Sequence, residues 1–136
     1  AVDDIIHEIS HHLEKRYSDL IYGDGTLEAE FITKRKFLYD TLAVNKLNPP
    51  ITIRTKIKYD RKLDNYFYNK LGPKLNNFVN GIFINEYSAT SLKEYYGVGF
   101  EKYLMSYNNH AILRRQCPVL FYKIEKLLKV LNGEES

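Results

Sequence analysis

The feature that most constrains this chain is His7-Glu8-Ile9-Ser10-His11, a His-Glu-x-x-His pattern set among Ile5, Ile6, Ile9 and Leu13. On a helix, residues four apart share a face one turn apart, so His7 and His11 can aim two ring nitrogens at one metal ion. Glu8 then stands off the ligand line, within reach of a water held by that metal. Two neutral imidazoles and a free carboxylate form the donor set of a zinc hydrolase. The apolar residues predict a buried helix from about Asp3 to Tyr17, with Asp3 or Asp4 as its N-terminal cap. A buried helix has little reason to carry two imidazoles unless they are partnered.

Length and charge narrow the alternatives. A chain of 136 residues is one domain with room for a core. Its net charge of +3 is small, and its basic residues are interleaved with acids, which argues against nucleic acid as a partner. The basic triplet Lys34-Arg35-Lys36 reads as a solvated patch. No apolar run is long enough to span a membrane, and no signal peptide is recognisable. The single Cys117 has no partner for a disulfide or a metal knuckle.

Turn signals divide the rest of the chain. Gly23-Asp24-Gly25 precedes a second helix, capped by Thr26 and running to about Ala43, and Asn48-Pro49-Pro50 ends that unit. The alternation in Ile51–Ile57 predicts a strand or extended arm. Further helices are expected from Asp60 to Leu71, briefly at Leu75–Val79, from Ser91 to about Tyr107, and from Pro118 to Leu131. Gly81–Ile84 reads as a short extended piece, and Glu134-Glu135-Ser136 as a frayed end. The predicted fold class is mainly α with little sheet.

A third protein ligand is required, with water in the fourth position. The candidates are Glu28 and Glu30 on the second helix, and Glu94. Ser91-Leu92-Lys93-Glu94 is also a capping box, in which a Glu reaches back to the Ser amide and needs no metal.

Around Glu94 the sequence resembles a known family. Tyr87 precedes Glu94 by seven residues, and Tyr95, Tyr96 and Phe100 follow it. That pattern, with the His-Glu-x-x-His helix, resembles the zincin metallopeptidases of the anthrax lethal factor catalytic-domain group and its secreted and phage-borne relatives. The resemblance covers roughly residues 3–20 and 84–130. It implies Zn2+ held by His7, His11 and Glu94, Glu8 as general base, and Tyr87 leaning over the metal to stabilise the oxyanion.

It further implies an α+β zincin-like fold, a protein or peptide substrate, and a secreted or virion-associated location. Segment 21–83 stands as an insert without a counterpart. Val98 occupies a position where the family commonly has an acid, so a hydrogen bond behind the ligands is expected to be missing. Thermolysin-like and phage-repressor-cleaving zinc proteins place their Glu on the helix after the zinc helix, where Glu30 would serve.

Such peptidases place a sheet before the zinc helix. The chain is therefore expected to be a processed fragment or an excised domain, possessing partners in the rest of its polypeptide or in a virion or toxin assembly. The other reading is a catalytically inactive structural or interaction domain, for instance of a phage particle, that keeps the zincin scaffold.

Overall fold

The computed structural model describes residues 1–133, so the expected fraying at Glu134–Ser136 lies outside the described residues. The organising element is a helix buried on all sides. Helices α1 (Val2–Arg16), α2 (Ser18–Tyr22), α3 (Thr26–Val44), α4 (Arg61–Asn65) and α5 (Leu75–Val79) lead to it. It is α6 (Leu92–Met105), and α7 (Asn109–Gln116) and α8 (Pro118–Leu131) follow.

Residues 95–100 of α6 are all buried, which marks a helix enclosed by its neighbours rather than laid on a surface. Two glycines let those neighbours approach. A β-carbon on Gly97 would lie 2.9 Å from His7 Cε1, and one on Gly99 would lie 2.3 Å from a Leu120 methyl. Successive helical positions turn by about 100°, so Gly97 and Gly99 face nearly opposite ways. α1 packs against one side of α6 and α8 against the other. The cost of a mid-helix glycine, about 1 kcal/mol, accompanies this close contact on both sides.

The core is aromatic and aliphatic. Phe31, Phe83 and Tyr95 meet ring to ring, with centroids 5.5 to 6.0 Å apart. From α3 come Leu27, Phe31, Leu38 and Leu42, and from α8 Leu120, Ile124 and Leu127. Pro118 begins α8 as its first residue, and Gly133 follows its end with φ +72, as the sequence suggests.

The chain is mainly helical, with one isolated bridge, Asn80 to Phe83, as the β-type pairing among the described residues. Several expectations are corrected. Ile51–Ile57 is no strand: Ile51–Arg54 forms a 3-10 turn after Pro50, because only Ile53 is wholly buried and no strand among the described residues offers it a ladder. The helix expected at Asp60–Leu71 changes to a π turn over Tyr66–Leu71. α7 occupies a stretch where no helix is expected from the sequence.

At the start of α3 the capping position belongs to Gly25, with φ +76 and no side-chain bond, and not to Thr26; the Asp24 carboxylate accepts from the Thr26 amide at 3.0 Å. Neither Asp3 nor Asp4 caps α1: its N-terminal flanking residue is Ala1, with no side-chain cap bond.

Two differences bear on function. In α1, Ile5 and Ile9 are exposed (59% and 46%), whereas Ser10 and Glu14 are buried. The helix is rotated so that its histidine face, rather than its isoleucine face, meets α6. Of the basic triplet, only Lys36 is exposed as a solvated patch would be. Arg35 is fully buried and donates to the carbonyls of Ala89 at 2.7 Å, Thr90 at 2.9 Å and Ile53 at 3.0 Å, beneath the Phe31 ring. Burial pushes its guanidinium down to about 10, still a cation at neutral pH. Lys34 donates to the carbonyls of Ile82 and Gln116. These charges join distant segments of the chain.

Candidate metal centre

α1 and α6 cross at Gly97, and the crossing decides the site. His7 and His11 lie on one face of α1 because they are four residues apart. Glu94 faces them from the first turn of α6, where the Ser91 hydroxyl accepts from the Glu94 amide at 3.1 Å. The cap expected at Ser91 is thus formed, but the Glu94 carboxylate does not complete a reciprocal box. It lies 3.2 Å from His7 Nε2 through one oxygen and 3.5 Å from His11 Nε2 through the other. The two Nε2 atoms are 3.1 Å apart. Donors around a tetrahedral zinc ion, with bonds of about 2.0–2.1 Å, stand roughly 3.3–3.4 Å from one another. With one atom taken from each, the three side chains offer donors within 4.8 Å of one another, a spacing one ion could bridge.

The far ring nitrogens have carboxylate neighbours of their own. His11 Nδ1 lies 3.0 Å from Glu14 Oε1, and His7 Nδ1 lies 3.3 Å from Glu101 Oε2. The first is a directed hydrogen bond; the second is close but misaligned, leaving Nδ1 of His7 buried without a well-directed acceptor. With the ring proton on Nδ1, each Nε2 lone pair would face Glu94; with it on Nε2, the ring would donate to Glu94 instead. Two imidazoles and a carboxylate converge in a half-buried place, with Glu14 and Glu101 adding negative charge behind them. Such a cluster favours a positive charge among its members, carried by a ring proton or by a metal cation.

Neighbouring phenols register the field. The Tyr22 hydroxyl donates to Glu14, and its pKa is raised by burial first and by Glu14 and Glu94 after that. Tyr68 is raised by burial and then by Asp64, Tyr87, Glu86 and Glu94.

Of the residues singled out in the sequence, His7, His11 and Glu94 come together. Glu8 is exposed and lines a cleft of about 500 Å³ with Asp4, His7, Asn85, Tyr87, Val98 and Glu101. Tyr87 sits in a 3-10 turn, Tyr87–Ala89, held from below by Arg35, and its ring meets the His7 ring edge-on at 6.5 Å.

Glu30 and Glu28 do not reach the histidines as ligands. The Glu30 carboxylate accepts from the Tyr95 hydroxyl at 2.8 Å and from the Val119 amide at 2.8 Å, so it caps α8. Glu28 is exposed and lines a different cleft. Val98 is buried, and the hydrogen bond expected to be missing is missing: His7 Nδ1 has no aligned partner, and Glu101, almost one turn further along α6, stands 3.3 Å away out of line.

Glu14, Glu101, Tyr22 and Gly97 were not read from the sequence as site residues. Glu14 follows His11 by three and Glu101 follows Glu94 by seven, both same-face helical spacings that would have shown them. Gly97 offers no such signal.

Comparison of the chain with protein-family models, with curated proteins and with solved structures found no match.

Proposed function

We propose that this chain is a zinc-dependent endopeptidase domain of the zincin type, with His7, His11 and Glu94 as metal ligands. The observation that carries the reading is the convergence of three donor atoms, with both imidazoles backed by carboxylates on the far ring nitrogen. Bound there, zinc would supply an acidified water and a Lewis acid for a peptide carbonyl.

The remaining roles belong to the chain. Glu8, next to His7 and free in the cleft, accepts a proton and returns it to the leaving amine. Tyr87, beside the His7 ring, offers its hydroxyl to the developing oxyanion. Glu14 and Glu101 orient the imidazoles, and Tyr22 keeps Glu14 in place. The substrate on this reading is a protein or peptide, and the setting a secreted or virion-associated one.

The test is metal analysis joined to digestion of casein or a peptide library. Glu8→Gln is expected to retain zinc and to lose cleavage by about 1,000-fold or more, because a general base is removed while the ligands stay. Cleavage undiminished in that variant would refute the assignment.

A second reading is favoured by one observation: no sheet stands beside the centre among the described residues to hold an extended substrate. On that reading the zinc site stabilises an inactive interaction domain, for example of a virion. Stoichiometric zinc with no turnover of any library peptide would support it.

A further inference from the structure

We infer that segment 57–68, within the stretch that has no counterpart in the family resemblance, builds a side-chain pocket for a bulky apolar or aromatic residue of the bound peptide. This rests on the peptidase reading of the adjoining centre.

A second and larger cleft, about 680 Å³, opens beside Glu94. Its volume is that of a site that takes a compact organic group, and its lining is mostly apolar. Ile57, Tyr59 and Tyr68 come from the segment, and Leu92 and Tyr87 from around the start of α6. The wall is fixed to the metal-bearing helix, because the Leu92 amide donates to the Ile57 carbonyl at 2.8 Å.

Three rings at this cleft lack cover: Tyr59 is 66% exposed, Tyr87 55% and Tyr68 41%. Isolated exposed rings are ordinary on a surface, but these three line one concavity that also contains a proposed metal ligand.

Charge selects among possible occupants. Of the four carboxylates there, Glu94 faces the histidines and Glu14 is held by His11 and Tyr22. The rest, Glu28 and Asp64, are matched in number by Lys58 and Lys93. The two carboxylates in excess are those at the adjoining centre, where a bound zinc ion would offset them; away from it the charges balance and the aromatic walls suit a neutral bulky side chain. Position supplies the connection to the peptide. Tyr87 borders both clefts, with Glu8 in one and Glu94 in the other. A chain crossing the centre from the Glu8 side therefore meets the Tyr68 side next.

The test is binding of a fluorescent peptide library to the zinc-loaded full chain carrying Glu8→Gln, compared with the same chain also carrying Tyr68→Ala. Peptides with Phe, Tyr, Leu or Met at one position should bind about tenfold or more tighter than their Ala counterparts. Tyr68→Ala should reduce that preference to about threefold or less, and Tyr59→Ala should reduce it in part. Both residues are partly exposed, so loss of fold is not the expected result; unchanged far-ultraviolet circular dichroism checks this.

A preference that survives both substitutions, or no preference at all, would overturn the pocket. The peptidase reading fails separately: selected peptides that bind with the predicted preference but are never cut by the chain with Glu8 intact would sink that reading and leave the pocket standing.

Discussion

Glu30 and Glu94 lie in two regions that meet at α6 and show what one residue type does in different surroundings. Glu30 faces donors: a phenol and the first free amides of α8. Its charge is satisfied by the fold, and the region around it, α3 with α8, is an aromatic core. Glu94 faces two imidazoles whose other nitrogens lie beside carboxylates. The adjacent residue on α6, Tyr95, belongs to the first region, so a single helix serves both. A carboxylate met by neutral donors is satisfied by the fold, whereas one set among imidazoles and further carboxylates favours a positive charge beside it.

The largest expected effect would break the comparison outright. Glu94→Ala should lower zinc affinity by about 1,000-fold, since one of three protein ligands is lost, with the fold otherwise kept. Competition against a chromogenic chelator reads this directly. Zinc binding of ordinary strength in that variant would mean that the centre does not depend on Glu94.

Glu30→Ala should act the opposite way. It leaves the Tyr95 hydroxyl and the α8 amides without an acceptor and should cost about 2–3 kcal/mol of stability in urea unfolding. Zinc content should be unchanged. If Glu30→Ala empties the centre, the contrast drawn between the two glutamates is wrong.

Smaller again are the residues behind the ligands. Glu14→Gln and Glu101→Gln should each reduce zinc affinity by about tenfold, within the range for groups that orient ligating imidazoles. Because Glu14 is the better aligned of the two, its variant should show the larger loss.

The mildest test sharpens the comparison through pH. Tyr22 backs the metal side and Tyr95 the Glu30 side; burial, then contact with a carboxylate or thiol, raises both phenols. A raised pKa means that the folded chain holds these protons at a pH where the unfolded chain releases them. That stabilisation is complete below about pH 10 and fades as pH rises further. Urea midpoints should therefore hold steady from pH 8 to about 10 and fall by pH 11. Tyrosinate absorbance from these two rings should appear only with unfolding.

Local patterns in the sequence carried a good deal of this. The i, i+4 pair His7 and His11, the Ser91 cap ahead of Glu94, and Pro118 at the head of α8 all act through neighbours within one helical turn. Such relations are fixed by helix geometry and can be read along a string of residues. The glutamates could not be told apart that way. Both follow α1 and both sit near a helix start, and the distinction lies in which groups a distant crossing brings opposite them.

The rotation of α1 follows the same logic. Its isoleucines promised a buried stripe, yet Ile5 and Ile9 face outward, and Gly97 admits the histidines instead. Arg35 makes the point most sharply. Inside a basic triplet it reads as surface, but three carbonyls from residues 53, 89 and 90 hold it in the core.

By itself, then, the amino-acid order settled a mainly helical chain, the position of several helix ends, and two imidazoles on one face. Tertiary structure alone decided which acid meets them, which acids stand behind them, and how segment 57–68 comes to flank the centre. The physical reason is range: helix geometry acts over four residues, whereas the fields and contacts that define this site join groups 87 residues apart.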